Sequence, residues 1–110
     1  MRANSAMAIR QFDIFPNPVR RGREHKPFVM SLQHRNLDHL HTRVVAPLIV
    51  EIRATLSALN PIFVIDGQRV FLDPADLGTM EVRLLRKPVA NLESERYRIR
   101  GALDLLLTGI

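Results

Sequence analysis

Alternating apolar and polar positions recur along most of this chain, and a helical pattern replaces them near its end. Successive side chains of a strand point to opposite faces, so a two-residue alternation indicates a half-buried strand. Proline-containing turns separate several of these runs, because proline cannot donate to a strand ladder. The alternation predicts strands at residues 11–15, 28–32, 43–50, 62–65, 68–72 and 80–84.

Two of these strands are predicted to form a tight hairpin. Asp66 and Gly67 alone separate residues 62–65 from residues 68–72, and an Asp-Gly pair tolerates the positive φ angles of a type I′ turn. Pro47, inside the third run, predicts an edge strand or a bulge. Residues 33–42 are predicted to form a loop, whereas residues 51–59 fit either a short helix or a loop.

The helical pattern begins near Asn91 or Ser94, both good N-caps, and ends at Gly109, which suits a left-handed C-cap. At about 100° per residue, an apolar stripe forms along one side of this helix. Asp104 and Thr108 fall together on the opposite side. The stripe consists of Leu92, Ile99, Leu103 and Leu106.

Gly101 and the surplus leucines indicate that another surface meets this helix. Glycine inside a helix costs about 1 kcal/mol relative to alanine, which either close packing against a strand or the approach of a partner would explain. Leu105 lies off the apolar stripe and Leu107 at its edge. Surplus apolar surface on a small protein often marks an interface, so we expect a homodimer. The elements together predict a small, mainly β fold with a C-terminal helix packed on it.

Composition narrows the class of protein. A chain of 110 residues, 46% apolar and 25% charged, fits one globular domain; we assign residues 9–110 to it and residues 1–8 to a flexible extension. No cysteine is present, which excludes a disulfide framework and suits the cytoplasm. No apolar run approaches the roughly 18 residues of a membrane span. The net charge is +5, but the positive residues are scattered and aromatic residues are scarce, so direct nucleic-acid binding is not expected.

The sequence carries no motif for catalysis or for a cofactor. A Gly-rich phosphate loop, a His-Glu-x-x-His pair and a nucleophile elbow are all absent. His34, His39 and His41 lack the cysteines or paired carboxylates that would complete a metal site. Thr42 and Arg43 place a hydroxyl beside a cation, as phosphodiester chemistry would use, although an ordinary surface pair explains them equally well. We therefore expect no metal, no cofactor and no catalytic residue.

The end of the chain is itself a candidate contact. Thr108, Gly109 and Ile110 follow the amphipathic helix directly. Chain ends usually fray unless something holds them, so a leucine-rich helix that runs to an isoleucine predicts a role for this end in the core or against a partner.

Several segments occur in an order typical of one family. They are Gln11-Phe12-Asp13-Ile14-Phe15; Phe28-Val29; Leu37-Asp38, Leu40, Thr42-Arg43-Val44-Val45 and Pro47-Leu48; Leu59 and Pro61; Val89 and Leu92; and residues 99–110, which end in Gly109-Ile110. In their order and spacing they resemble the CcdB family of bacterial toxins over residues 11–110.

This resemblance implies an SH3-like β-barrel with a C-terminal helix, acting as a homodimer. It implies a toxin of a toxin–antitoxin pair that is not an enzyme: it binds the A subunit of DNA gyrase and traps gyrase with its DNA cut. A CcdA-like antitoxin would neutralise it with an extended acidic segment at an overlapping surface. Leu106 matches a position at the family's dimer contact. The positions that match the gyrase-binding site are Leu37, Asp104, Leu107, Thr108, Gly109 and Ile110.

One departure and two alternatives accompany the resemblance. The best-known member of the family carries tryptophan where this chain has Thr108, and an indole offers about 150–250 Å² of contact area that threonine lacks. A MazF-like endoribonuclease, similar in fold, would use Thr42 and Arg43 to cleave single-stranded RNA. A relative without toxicity would bind an antitoxin alone.

Overall fold

The fold described by the computed structural model, which covers residues 8–37, 39–51 and 57–109, is mainly β with one C-terminal helix. Within these residues seven strands form a single, nearly closed barrel-shaped sheet in the order β4-β5-β3-β2-β1-β7, and β6 pairs with β3 beside β5. Every pairing is antiparallel. The strands are β1 (Asp13–Pro16), β2 (Phe28–Ser31), β3 (Thr42–Val50), β4 (Ile62–Ile65), β5 (Gln68–Leu72), β6 (Gly78–Glu81) and β7 (Ala90–Asn91), and the helix is α1 (Arg96–Thr108).

The core lies on both faces of the first three strands. Alternate residues of β1 and β2 enter two separate apolar clusters, so these strands are buried on both sides. The smaller cluster contains Phe15, Val29 and Val45 and is covered by Ile9 and Leu85. The larger one, which includes Ile99 of α1, consists of Phe12, Ile14, Phe28, Met30, Leu32, Ala46, Leu48, Phe63, Ile65, Val70, Leu72 and Ile99.

The predicted hairpin is confirmed. β4 and β5 pair from Ile62↔Phe71 to Ile65↔Gln68, and both residues of the turn have positive φ, 51° at Asp66 and 76° at Gly67. Two positive φ values are the signature of a type I′ turn, whose twist matches that of the strands it joins.

The prediction that Pro47 marks an edge strand or a bulge is wrong. β3 is central: it pairs with β2 along one side and with β5 and β6 along the other. Pro47 falls between residues 42–45, which pair with β6, and residues 48–50, which pair with β5. A residue without an N–H is tolerated there because β3 is changing partners, and the Pro47 carbonyl still accepts from Asp73 N (3.1 Å).

The strand predicted at residues 80–84 both begins and ends earlier, as β6 at Gly78–Glu81. β6 ends at Glu81, which pairs with Thr42, the first residue of β3, so no partner strand remains beyond it. The chain then turns through a 3-10 helix at Val82–Leu84, where Val82 N donates to His41 O (2.9 Å). As a result Leu85 enters the core, whereas Leu84 is exposed.

The first strand begins later than the alternation predicts. Phe12 has φ 70°, a conformation uncommon for a bulky residue, which bends the chain just before β1. Burial of its ring and the hydrogen bond from Phe12 N to Ser31 O (2.7 Å) offset this strain. The two-residue strand β7, which no alternation predicted, pairs with Asp13 and Ile14 of β1.

A 3-10 turn at Glu93–Glu95 leads into α1, so the helix proper begins later than Asn91 or Ser94. Asn91 nevertheless supports this start, because its Oδ1 accepts from Glu93 N (2.8 Å). Residues 52–56, which hold most of the segment predicted as helix or loop, lie outside the described residues, as do residues 1–7 of the predicted extension.

Candidate partner-binding site

The inner face of α1 holds the helix on the barrel. Ile99 and Ala102 are fully buried, and Leu92 and Leu103 pack against the larger cluster. Two Arg–Glu pairs at i,i+3 spacing, 93–96 and 95–98, support the first turns. Because these contacts lie along one side, the opposite side of the helix is left facing outward.

The end of α1 is capped as the sequence predicts. Gly109 has φ 76° and ψ 12°, and its N–H donates to Leu105 O (2.9 Å). This left-handed residue satisfies one of the carbonyl groups that a helix end leaves without a partner. The last turn is therefore ordered by its own hydrogen bonds and ends at a defined place.

Four predicted site residues lie together on this exposed last turn. Asp104, Leu107, Thr108 and Gly109 are all exposed, and Leu107 leaves 74% of its surface uncovered. The Thr108 hydroxyl turns back and donates to Asp104 O (2.7 Å), so it is already satisfied within the helix. Ile110, the remaining predicted residue of the tail, lies outside the described residues.

Leu37 lies on a separate segment. It ends a 3-10 turn at Arg35–Leu37 and is 45% exposed. The buried side chain of Gln33 holds this loop, since its Nε2 donates to Leu37 O (3.0 Å) and its Oε1 accepts from Val44 N (3.1 Å). Among the described residues no hydrogen bond or ion pair joins Leu37 to α1. Leu37 and the end of α1, the two parts of the predicted site, are therefore not bonded directly to each other within one chain.

The described residues do not pack closely against Gly101. Gly101 is exposed, and a Cβ placed on it would have no atom of the described residues within 4 Å, so close packing against a described strand does not explain this glycine. Instead Gly101 lines an open groove of about 660 Å³ with Leu105 and Arg98 on one side and residues 57–62 on the other. Leu106, the predicted dimer contact, and Leu105, which lies off the predicted apolar stripe, are both half-buried in the single chain.

Sequence reasoning did not foresee this groove, although the absence of a side chain at Gly101 was a signal for it. Arg98 crosses the groove and donates to Ile62 O (2.9 Å) while lying 4.8 Å from the centre of the Phe63 ring. The carbonyl of Ile62, on an edge strand, is thereby occupied by the helix.

The candidate pair for phosphodiester chemistry is not arranged for it. Arg43 is buried, with 4% of its surface exposed, and its Nη1 donates to the carbonyl oxygens of Leu40 (2.7 Å) and Thr42 (3.0 Å). A guanidinium held by backbone carbonyls beneath the surface supports the loop before β3 and is not presented to a substrate. The alternative of an endoribonuclease thereby loses Arg43, one of the two residues on which it rested.

Within the described ranges, no three His, Asp or Glu side chains lie close enough to hold a metal ion. His34 is used locally, because its Nδ1 accepts from Asn36 N (3.0 Å). In the same ranges no helix combines the length and the apolar character that crossing a membrane requires.

Comparison with known proteins decides the family. The profile of the CcdB protein family matches residues 11–109, nearly the whole chain. The chain belongs to the CcdB protein family. This confirms the resemblance read from the sequence and agrees with the barrel-shaped sheet and C-terminal helix. Membership makes it a toxin of the toxin–antitoxin type. None of the curated proteins matches the chain.

Proposed function

We propose that this CcdB-family toxin binds the A subunit of DNA gyrase through the end of α1 and traps gyrase with its DNA cut. The observation that carries the proposal is the exposure of Leu107, 74%, on a helix whose other face is fixed in the core. An exposed leucine on a fixed support is suited to fill a partner's pocket, where a few residues usually supply most of the binding energy.

Rigidity of this helix end favours tight binding. Ile99 and Ala102 fix the axis of α1, and the Gly109 cap fixes its last turn. Less conformational freedom is then lost when a partner binds, which leaves more of the contact energy as affinity.

The exposed residues around Leu107 offer different kinds of contact to gyrase. Asp104 makes no ion pair with any other described residue, so its carboxylate is available to a donor on gyrase. Thr108 offers its methyl group more than its hydroxyl, which Asp104 O already accepts. We therefore assign the main contact to Leu107, with Gly109, Ile110 and the separate Leu37 as further contacts.

A homodimer and an antitoxin complete the proposal. Half-buried Leu106 and Leu105 supply the apolar surface of the dimer contact. A CcdA-like antitoxin with an acidic segment is complementary to the net charge of +5, and such complementarity chiefly speeds encounter. The toxin acts in the cytoplasm, where gyrase works, and by binding without catalysis.

The test is titration of the purified gyrase A subunit with the toxin and two leucine variants. Fully burying a leucine contributes about 1.5–3 kcal/mol, and about three quarters of Leu107 is free to be buried. Leu107→Ala is thus expected to weaken binding by about 1–2 kcal/mol, roughly five- to thirtyfold. Leu84→Ala removes another exposed leucine, far along the chain in the 3-10 turn after β6, and is expected to bind as the unmodified toxin does.

Circular dichroism of both variants checks that each remains folded. Equal binding by the Leu107→Ala variant and the unmodified toxin would remove the helix end from the site. Failure of the unmodified toxin to bind the A subunit would remove gyrase as the target.

A further inference from the structure

A second cavity, distinct from the end of α1, collects positive charge. It measures about 550 Å³ and lies between the segment that leads into β1, the beginning of the loop at His34 and the first turns of α1. Arg10, Arg96 and Arg100 line it, and Glu93 is the one acidic side chain among its lining residues. Three guanidinium groups against one carboxylate leave an excess of two positive charges.

Two of the three arginines have no acidic partner among the residues that the structure describes. Arg96 is engaged, since its Nη1 lies 3.4 Å from Glu93 Oε2 and its guanidinium lies 4.6 Å from the centre of the Tyr97 ring. Arg10 and Arg100 make no ion pair with any described residue. Because Arg96 and Arg100 are one helical turn apart, their side chains lie on the same side of α1.

His34 adds a hydrogen-bond donor to the lining of this cavity. His34 Nδ1 accepts from Asn36 N, which leaves Nε2 as the nitrogen of the ring that can donate. The cavity therefore offers donors in excess of acceptors, as a site for an anion requires.

The backbone beneath the cavity is held in place without a ligand. The buried carboxylate of Asp13 accepts from Arg10 N (2.8 Å) and from Asn91 Nδ2 (2.9 Å). Asn91 Nδ2 also donates to Gln11 O (3.1 Å). These bonds tie the segment carrying Arg10 to the chain that enters α1, so the backbone on these two sides of the cavity is fixed before any ligand arrives.

We propose that this cavity binds the phosphate group of a small phosphorylated molecule such as a nucleoside monophosphate. A phosphate monoester carries about −1.5 to −2 charge at pH 7, opposite in sign to the excess positive charge of the lining residues, which the buried carboxylate of Asp13 beneath the cavity reduces. Guanidinium groups bind phosphate oxygens through two parallel hydrogen bonds. The cavity volume of about 550 Å³ falls within the range of roughly 300–1,000 Å³ usual for small-molecule sites.

A nucleic-acid strand is bound by a groove or stripe of cations along its backbone. Two cations, Arg10 and Arg100, meet in this cavity, which suits a single phosphate group. This site goes beyond the proposed binding of gyrase, and its test uses no gyrase.

Calorimetric titration of the full chain with inorganic phosphate and with a nucleoside monophosphate tests the proposal. We expect both to bind, and the Arg10→Gln/Arg100→Gln double variant to bind each at least about tenfold more weakly, because charge-assisted hydrogen bonds are lost. The matched control is Arg20→Gln/Arg23→Gln, which removes the same charge from exposed positions that do not line the cavity. It is expected to bind phosphate as the unmodified chain does.

Three results would overturn the proposal. The first is failure of the unmodified chain to bind either probe at millimolar concentration. The second is an equal loss of binding in both double variants, which would indicate an effect of net charge alone. The third is tighter binding of a peptide of several glutamates than of phosphate, with the same dependence on Arg10 and Arg100, which would assign the cavity to a protein partner.

Discussion

Replacing Gly101 with alanine is expected to stabilise the protein. Gly101 lies in the middle of α1, where glycine is about 0.8–1.0 kcal/mol less favourable than alanine. The new methyl group would meet no atom of the described residues within 4 Å, so no steric cost from them offsets this gain. The free energy of unfolding should rise by about 1 kcal/mol, and the Tm by about 4–8 °C in a domain of this size.

Gly109 provides the matched control within the same helix. It also has open space around it, but its φ is 76°, and a left-handed backbone costs an ordinary L-residue roughly 1–2 kcal/mol. Gly109→Ala should therefore destabilise the protein, although neither alanine would clash. Opposite signs for two substitutions of the same kind separate helix propensity from backbone strain.

Urea unfolding followed by circular dichroism, at one fixed protein concentration, measures both variants. A loss of stability in Gly101→Ala would refute the reasoning, because it would mean that a surface outside the described residues, of this chain or of another, packs against Gly101. Repeating the measurement over a range of concentrations would then show whether that chain is a second copy.

Three further substitutions test the core, the start of α1 and the site. Ile99→Ala should lower the free energy of unfolding by about 2–5 kcal/mol in urea, since it leaves a cavity in the larger cluster. Asn91→Ala should cost about 1–3 kcal/mol in the same assay, because buried Asp13 loses a hydrogen-bond partner. Thr108→Trp should strengthen binding to the gyrase A subunit in a titration, since an indole adds about 150–250 Å² of surface; unchanged affinity would place Thr108 outside the contact.

Local rules sufficed where a residue pair or a spacing decides the structure. Asp66-Gly67 predicted the turn because few other pairs adopt two positive φ values. The helical spacing likewise predicted that Ile99 is buried and Asp104 exposed. The cap at Gly109 followed from the same kind of local preference.

Local rules failed where a distant segment decides. Leu84 continues the alternation of β6, but the strand ends because β3 has no residue left to pair with. Proline is excluded from most central strands. Pro47 is nevertheless tolerated in β3, because β3 changes partners at that residue. Neither outcome can be read from the residues around it.

The candidate sites show the same division. Exposure of Asp104 and Thr108 follows from the helical period, whereas the burial of Arg43 depends on the preceding loop, where Leu40 O accepts from its guanidinium. The basic cavity joins Arg10 to Arg100 across most of the chain, and no periodicity connects residues so far apart. Gly101 was recognised as unusual, but whether its neighbour was a strand or open space required the structure.

The most direct measurement of the central claim is DNA cleavage by gyrase in the presence of the toxin. Supercoiled plasmid and gyrase are incubated with the full chain or with a chain truncated before Gly109-Ile110, and the proteins are then denatured. The amount of linear DNA formed with each chain is compared. We predict that the full chain accumulates linear DNA and that the truncated chain, folded by circular dichroism, does not. Equal accumulation with both chains would contradict the assignment of the helix end as the surface that engages gyrase.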